Sequence, residues 1–122
     1  MMSVATAWKS RKTRSLVAHP NELDLLRIRR SLEQRARYRY VTPVVHPMPG
    51  GYLIRSACCS RNIEPAGGEI DIARICWDQD RGEWSLLGKD HAAQTWIEDG
   101  RYARLPELLL RVNSDPDKRF WQ

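Results

Sequence analysis

This chain of 122 residues has few features of a secreted, membrane-spanning or disulfide-stabilised protein. It contains three cysteines, two of them adjacent, and an odd number of cysteines does not form a disulfide framework. No apolar run approaches the roughly 20 residues that a membrane-spanning helix requires. The N-terminal residues lack the apolar segment of a secretory signal. We therefore expect reduced thiols, a cytoplasmic location and no membrane partner.

Complete catalytic and metal-binding motifs are also lacking. The sequence contains no serine elbow, no glycine-rich phosphate loop and no C-x-x-C pair. Adjacent cysteines on a strand point to opposite faces, and His46 is predicted to lie opposite Leu53, away from them. A zinc site would nevertheless have to combine some of Cys58, Cys59, Cys76, His46 and His91. We therefore predict a protein that is not an enzyme and holds no metal or cofactor.

One segment resembles part of a nuclease motif. Residues 68–72 read GEIDI, which is similar to the first acidic strand of nucleases with an Asp…(Glu/Asp)-x-Lys motif, whose acids hold a divalent metal. The second strand should supply a carboxylate two residues before a lysine, but Leu87 stands there before Lys89. Because a ligand is missing, a degenerate nuclease-like fold is the least favoured interpretation.

Charge is distributed unevenly along the chain. Residues 1–40 hold ten Lys or Arg and three Asp or Glu, a net charge of +7. Residues 41–122 hold ten Lys or Arg and twelve Asp or Glu, a net charge of −2. A basic arm on a near-neutral body suggests an anionic partner. A basic face that serves only solubility explains the same asymmetry.

Three short strands and two tight turns are predicted between Glu69 and Ile97. β-Branched and aromatic residues alternate there, which suits a half-buried pleated surface. A four-residue loop over residues 79–82 sets the register of the first two strands. It places three pairs opposite each other: Trp77 and Trp84, Ile75 and Leu86, and Ala73 and Gly88. The next turn, at residues 89–91, is expected to bring Trp96 near Trp84 on the same face.

The remaining elements complete an α+β pattern. A helix is predicted from Glu22 to about Arg37, with an apolar face of Leu25, Ile28, Leu32 and Ala36. Strands follow over residues 40–46 and 52–59 around a turn at residues 47–51, and a short helix begins at Leu105. We predict one antiparallel sheet of about five strands, a meander, packed against an N-terminal and a C-terminal helix. Residues 1–18 are predicted to form a flexible basic tail, and residues 19–122 a single domain.

A family resemblance covers most of the chain. The helix and hairpin are followed by an aliphatic-Ala strand, W-x-L, a turn Asp, a further Trp, a leucine-rich helix and D-P…F-W. The residues that carry it are Ile72-Ala73, Trp77, Trp84-Ser85-Leu86, Asp90, Trp96, Leu108-Leu109, Asp115-Pro116 and Phe120-Trp121. This layout resembles the short bacterial proteins of domain of unknown function 3024. The chain departs from it by lacking an aromatic after Leu86 and by ending in Gln122 instead of Gly. The resemblance implies a fold but no activity.

Two binding hypotheses remain. The first is a non-enzymatic module whose basic arm and first helix contact an anionic partner, either nucleic acid or an acidic protein. Its candidate residues are Lys9, Arg11, Lys12, Arg14, Arg27, Arg30 and Arg37. The alternative is a protein-interaction or self-associating module, a homo-oligomer, that uses the second face of the sheet. That face is predicted to carry the apolar residues Ile72, Cys76 and Leu87.

Overall fold

Two helices and a five-stranded antiparallel sheet make up the computed structural model, which describes residues 18–36, 41–57 and 68–121. The elements are α1 (Glu22–Leu32), β1 (Val44–Met48), β2 (Gly51–Ala57), β3 (Glu69–Asp78), β4 (Glu83–Asp90), β5 (Thr95–Tyr102) and α2 (Leu105–Ser114). The strands lie in the sheet in chain order. The predicted α+β class and the meander are therefore confirmed. Within the described ranges, no helix is both long and apolar enough to cross a membrane.

Both helices pack on one face of the sheet, which we call the inner face. Their apolar residues Ile28, Leu32, Leu108 and Val112 are fully buried. They form one cluster with inner-face residues of the strands: Val45, Tyr52, Ile54, Ala73, Ile75, Trp84 and Leu86. Each fully buried aliphatic or aromatic side chain contributes about 1.5–3 kcal/mol relative to an exposed one. The alternation along the strands thus produces the core.

Helix α1 begins as predicted but ends earlier. Asn21 is its N-cap, and the Asn21 side chain accepts a hydrogen bond from the Asp24 N–H at 2.8 Å. The helix ends at Leu32, so the predicted extension to about Arg37 is wrong. From Glu33 the backbone N–H groups bond carbonyls three residues back, and the Ala36 N–H donates to the Asn113 carbonyl at 2.8 Å. This tertiary hydrogen bond turns the chain, and Ala36 is exposed instead of buried.

The first hairpin is tighter than predicted. Pro47 and Met48, assigned to the turn, instead belong to β1 and lie opposite Tyr52 and Gly51. Only residues 49 and 50 remain for the loop, and Gly50 has φ +77°. A Cβ at Gly51 would lie 1.9 Å from the Ile75 carbonyl oxygen, so this close approach of β3 requires glycine. The expected pairing of His46 with Leu53 is confirmed.

The central hairpin has the predicted register, but β5 does not. Trp77 lies opposite Trp84, Ile75 opposite Leu86, and Ala73 opposite Gly88. On β5, however, Tyr102 lies opposite Trp84, whereas Trp96 lies opposite Lys89 at the other end of β4. Lys89 does not share the face of Trp84, because side chains alternate along a strand. The prediction that Trp96 joins Trp84 on the inner face is therefore wrong.

Two β-bulges redirect single side chains. Ala73 pairs with Ile54 and Asp71 with Arg55, so Ile72 is the extra residue of β3. The bulge places Ile72 in the core, where it is 4% exposed. The prediction that Ile72 lies on the second sheet face is therefore wrong. In β5 the extra residue is Asp99, between the partners of Leu86 and Leu87. Its carboxylate accepts two hydrogen bonds from the Arg111 guanidinium, at 2.9 and 3.0 Å.

A C-terminal turn folds the chain back onto α2. Asp115 follows the helix with left-handed backbone (φ +33°) and is fully buried. Its carboxylate accepts hydrogen bonds from the N–H groups of residues 119, 120 and 121, at 2.7–3.2 Å. The Trp121 indole N–H donates to the Val112 carbonyl at 2.9 Å. The D-P…F-W pattern is therefore a structural device that seats Phe120 and Trp121 in the core.

A buried histidine lies among aromatic rings at the start of the described chain. The His19 ring is 4.6 Å from the Trp84 ring, and its Nδ1 is 3.0 Å from the Tyr52 hydroxyl. Burial lowers the pKa of His19, while the Asp24 carboxylate opposes this by raising it. Burial, reinforced by the Lys89 charge, also lowers the pKa of His91.

Acidification is therefore expected to destabilise the fold. Below about pH 6.5 the unfolded chain protonates its histidines, whereas in the folded state His19 and His91 remain neutral to lower pH. The stabilisation is complete above about pH 6.5 and is lost as the pH falls towards the folded pKa values. Urea unfolding between about pH 7.5 and 5.5 measures how the free energy of unfolding changes with pH. His19→Gln should reduce this change. Asp24→Asn should lower the pKa of His19 further in an NMR titration; an upward shift would contradict this account.

Candidate functional site

Two of the seven predicted site residues lie in the described part of the chain. Arg27 and Arg30 are on α1, and both are exposed. They face away from the buried residues Ile28 and Leu32, as the helical period predicts. The other five predicted residues lie outside the described residues: Lys9, Arg11, Lys12, Arg14 and Arg37.

Arg29 joins Arg27 and Arg30 in what we call the arginine face of α1. Arg29 is exposed as well and lies in the last turns of the helix, where the helix dipole favours positive charge. Sequence reasoning omitted it, although its place one residue from Arg30 was visible. Arg104, the N-cap of α2, lines a groove together with Arg27. Only the packing of the two helices brings Arg104 there, so no local sequence signal identifies it.

The cations of the arginine face have few anionic partners. Arg27 contacts Asp24 at 3.1 Å, but its side chain is 61% exposed, and ion pairs at such positions contribute little. Within residues 18–36, 41–57 and 68–121, Arg29 and Arg30 form no hydrogen bond or ion pair through their side chains. Their charges are therefore available to a ligand without breaking an internal contact.

Two exposed leucines accompany these arginines. Leu23 is 59% exposed and Leu26 58%, and both line a shallow groove with Arg27, Arg29 and Arg30. Residues three and four positions apart are neighbours on a helix surface, so Leu23, Leu26 and Arg30 form one outward stripe. The surface thus offers positive charge beside a small apolar area.

Most cations of the sheet, by contrast, have carboxylate partners. Arg55 contacts Asp71 at 3.0 Å. Arg101 contacts Glu83 at 3.1 Å and Glu98 at 3.0 Å, and the bond to Glu83 is the main cause of its raised pKa. On α2, the pKa of Arg111 is raised chiefly by its hydrogen bonds to Asp99 of β5. Among the described residues of the sheet, Arg55, Lys89 and Arg101 are paired and Arg74 is not, whereas neither Arg29 nor Arg30 of α1 has a side-chain partner.

The nuclease-like residues come together but form a salt bridge. Lys89 Nζ is 3.4 Å from the Asp71 carboxylate, which also contacts Arg55. Leu87, at the position of the missing acid, lies on β4 opposite Arg74. Among the described residues there is no group of three or more His, Cys, Asp or Glu side chains placed to hold a metal ion. The local resemblance to the motif therefore brings one carboxylate and two cations together.

Comparisons with known proteins give one match. A family model described as domain of unknown function (DUF3024) matches residues 16–122, most of the chain. A search of curated proteins and a search of solved structures found no match. Most residues that carried the resemblance have structural roles, such as the turn in which Asp90 accepts the Ala93 N–H at 3.0 Å. The match confirms the resemblance: the chain belongs to the DUF3024 family.

Proposed function

We propose that this protein is a non-enzymatic binding module that contacts nucleic acid through the arginine face of α1 and the basic N-terminal arm. The observation that carries the proposal is a contrast between α1 and the sheet. On α1, Arg29 and Arg30 have no side-chain partner among the described residues, and Arg27 has only an exposed contact with Asp24. In the sheet, Arg55 and Arg101 are paired with carboxylates. Guanidinium groups bind phosphate oxygens through two parallel hydrogen bonds. On a rigid helix they also keep a fixed spacing of about 1.5 Å per residue along the axis.

Binding is expected to depend strongly on salt. If all seven predicted cations contact phosphates, log affinity should fall with log salt at a slope of about −6, because bound phosphates release counterions. The double variant Arg27→Gln/Arg30→Gln should reduce this slope by roughly 2 without unfolding the protein. Fluorescence anisotropy with a labelled duplex of random sequence, at several salt concentrations, measures the slope.

Arg81→Gln/Lys118→Gln provides the matched control. It removes the same charge from exposed positions away from α1, on the β3–β4 turn and in the C-terminal turn. The control should keep the wild-type slope. Absence of duplex binding at low salt, or equal slope losses in the two double variants, would refute the proposal.

The two exposed leucines of α1 allow a test that distinguishes nucleic acid from an acidic protein as the partner. Phosphate backbones gain little from Leu23 and Leu26, whereas a protein interface buries such residues. Leu23→Ser/Leu26→Ser is therefore expected to leave duplex affinity nearly unchanged. A large loss of affinity would instead favour an acidic protein with an apolar contact surface.

A second candidate function uses the other face of the sheet. Both helices pack on the inner face, and within the described ranges no element packs on the opposite, outer face. Half-buried Cys76 and Leu87 lie on it, as predicted, whereas Ile72 does not. This surface suits a protein-interaction module.

A further inference from the structure

The centre of the outer face has an arginine between two leucines. Arg74 lies on the middle strand, β3, and its cross-strand neighbours are Leu53 on β2 and Leu87 on β4. All three side chains are half-buried. The same row of the sheet continues to His46 on β1 and Glu98 on β5. The direct cross-strand neighbours of Arg74 are therefore both apolar.

Arg74 differs from the other cations of this face because it has no internal anion. Arg55 and Lys89 share Asp71, and Arg101 contacts three carboxylates. Arg74 forms no hydrogen bond or ion pair within the described ranges, and its Nε lies out of reach of solvent without an acceptor. A partly desolvated, unpaired cation is unfavourable until an anion satisfies it.

We propose that the outer face binds a partner protein segment that presents one Asp or Glu carboxylate between apolar side chains. The carboxylate would meet the terminal nitrogens of Arg74 in the bidentate geometry that guanidinium favours. The flanking apolar side chains would cover Leu53 and Leu87, which excludes water and strengthens the charge pair. This site is separate from the arginine face and does not depend on the function proposed for α1.

Charge complementarity favours a single carboxylate over a polyanion. The outer face also carries Asp71, Asp78, Glu83 and Glu98, which already neutralise the neighbouring cations. These carboxylates would repel the many negative charges of a phosphate backbone. A single acidic side chain, by contrast, can form one ion pair with Arg74. A second copy related by a two-fold axis through Arg74 would place two guanidinium groups against each other.

Peptide selection tests the site with a charge reversal. A random peptide display library is selected against the full chain, and enriched peptides are synthesised and measured by fluorescence anisotropy. Wild type should enrich an acidic residue flanked by apolar residues. Arg74→Glu should weaken these peptides by roughly tenfold or more and should itself enrich Lys or Arg at the central position. Arg81→Glu, which makes the same charge change on the β3–β4 turn, should bind like wild type.

An NMR titration of the unmodified protein keeps the test independent of variant folding. The blocked tripeptide Leu-Glu-Leu should shift the resonances of Leu53, Arg74 and Leu87, and the Gln analogue should not. The proposal is overturned if enriched peptides lack an acidic preference, or if the shifts map to α1. It is also overturned if single-stranded DNA binds through Arg74, or if Arg74→Glu abolishes a homodimer.

Discussion

Replacement of Asp115 by alanine is expected to lower the free energy of unfolding by about 3–5 kcal/mol, because leaving a buried donor unpaired costs about 1–3 kcal/mol. The Asp115 carboxylate accepts hydrogen bonds from three consecutive backbone N–H groups and is fully buried. Without it, the backbone N–H groups of Phe120 and Trp121 lose their buried acceptor. Urea unfolding followed by circular dichroism measures the loss.

Two variants identify the cause of this effect. Asp115→Asn keeps one acceptor oxygen and tolerates left-handed backbone, so it should be less destabilising than alanine. Asp117→Ala removes an exposed carboxylate that also contacts Arg111, and it should change stability little. Equal effects of Asp115→Ala and Asp117→Ala would contradict the stabilising role assigned to the hydrogen bonds of Asp115.

Replacement of Trp84 by alanine should cost about 3–5 kcal/mol, the range for an aromatic side chain truncated in a core. Trp84 is 6% exposed, and its ring lies 4.9 Å from that of Trp77 and 4.6 Å from that of His19. Its loss opens a cavity that the surrounding sheet cannot fill, next to the hydrogen bond between His19 and Tyr52. The midpoint of urea denaturation should fall accordingly.

Trp96→Ala is the matched control because it truncates the same residue type on the outer face. Trp96 is half-buried, and the Lys89 ammonium lies 5.0 Å from its ring centre. A cation–π contact at such a site contributes about 0.5–1 kcal/mol, so the loss should be about 1 kcal/mol. If Trp96→Ala proves as costly as Trp84→Ala, the assignment of the two faces is wrong.

Local patterns predicted most of the fold. Apolar alternation and a four-residue loop were sufficient to place Trp77 opposite Trp84, because register follows from the turn and from the need to bury one face. The bulges at Ile72 and Asp99 were not predicted, since each depends on a partner from elsewhere: the core for Ile72 and Arg111 for Asp99. Trp96 was misplaced because the turn was predicted at residues 89–91, whereas the structure has it at residues 91–94, which pairs Trp96 with Lys89.

The candidate site was predictable only in part. Helical periodicity identified Arg27 and Arg30 as exposed, because their positions relative to Ile28 follow from the helix repeat alone. Periodicity cannot show whether an arginine already has a carboxylate partner, which depends on strand pairing. Arg55 and Arg74 look alike in the sequence, yet Asp71 contacts Arg55, while Arg74 lies between two leucines.

The order of the strands has a consequence for how the chain folds. Every strand pair joins neighbours in sequence, and hairpins of this kind form in about 1–10 μs. The two helices meet only across a long separation: the Asn113 side chain donates to the Ser31 carbonyl, 82 residues away, at 3.0 Å. Closing such a loop costs more entropy than closing a hairpin. The sheet can therefore form from local hairpins, whereas the contact between α1 and α2 closes a far longer loop.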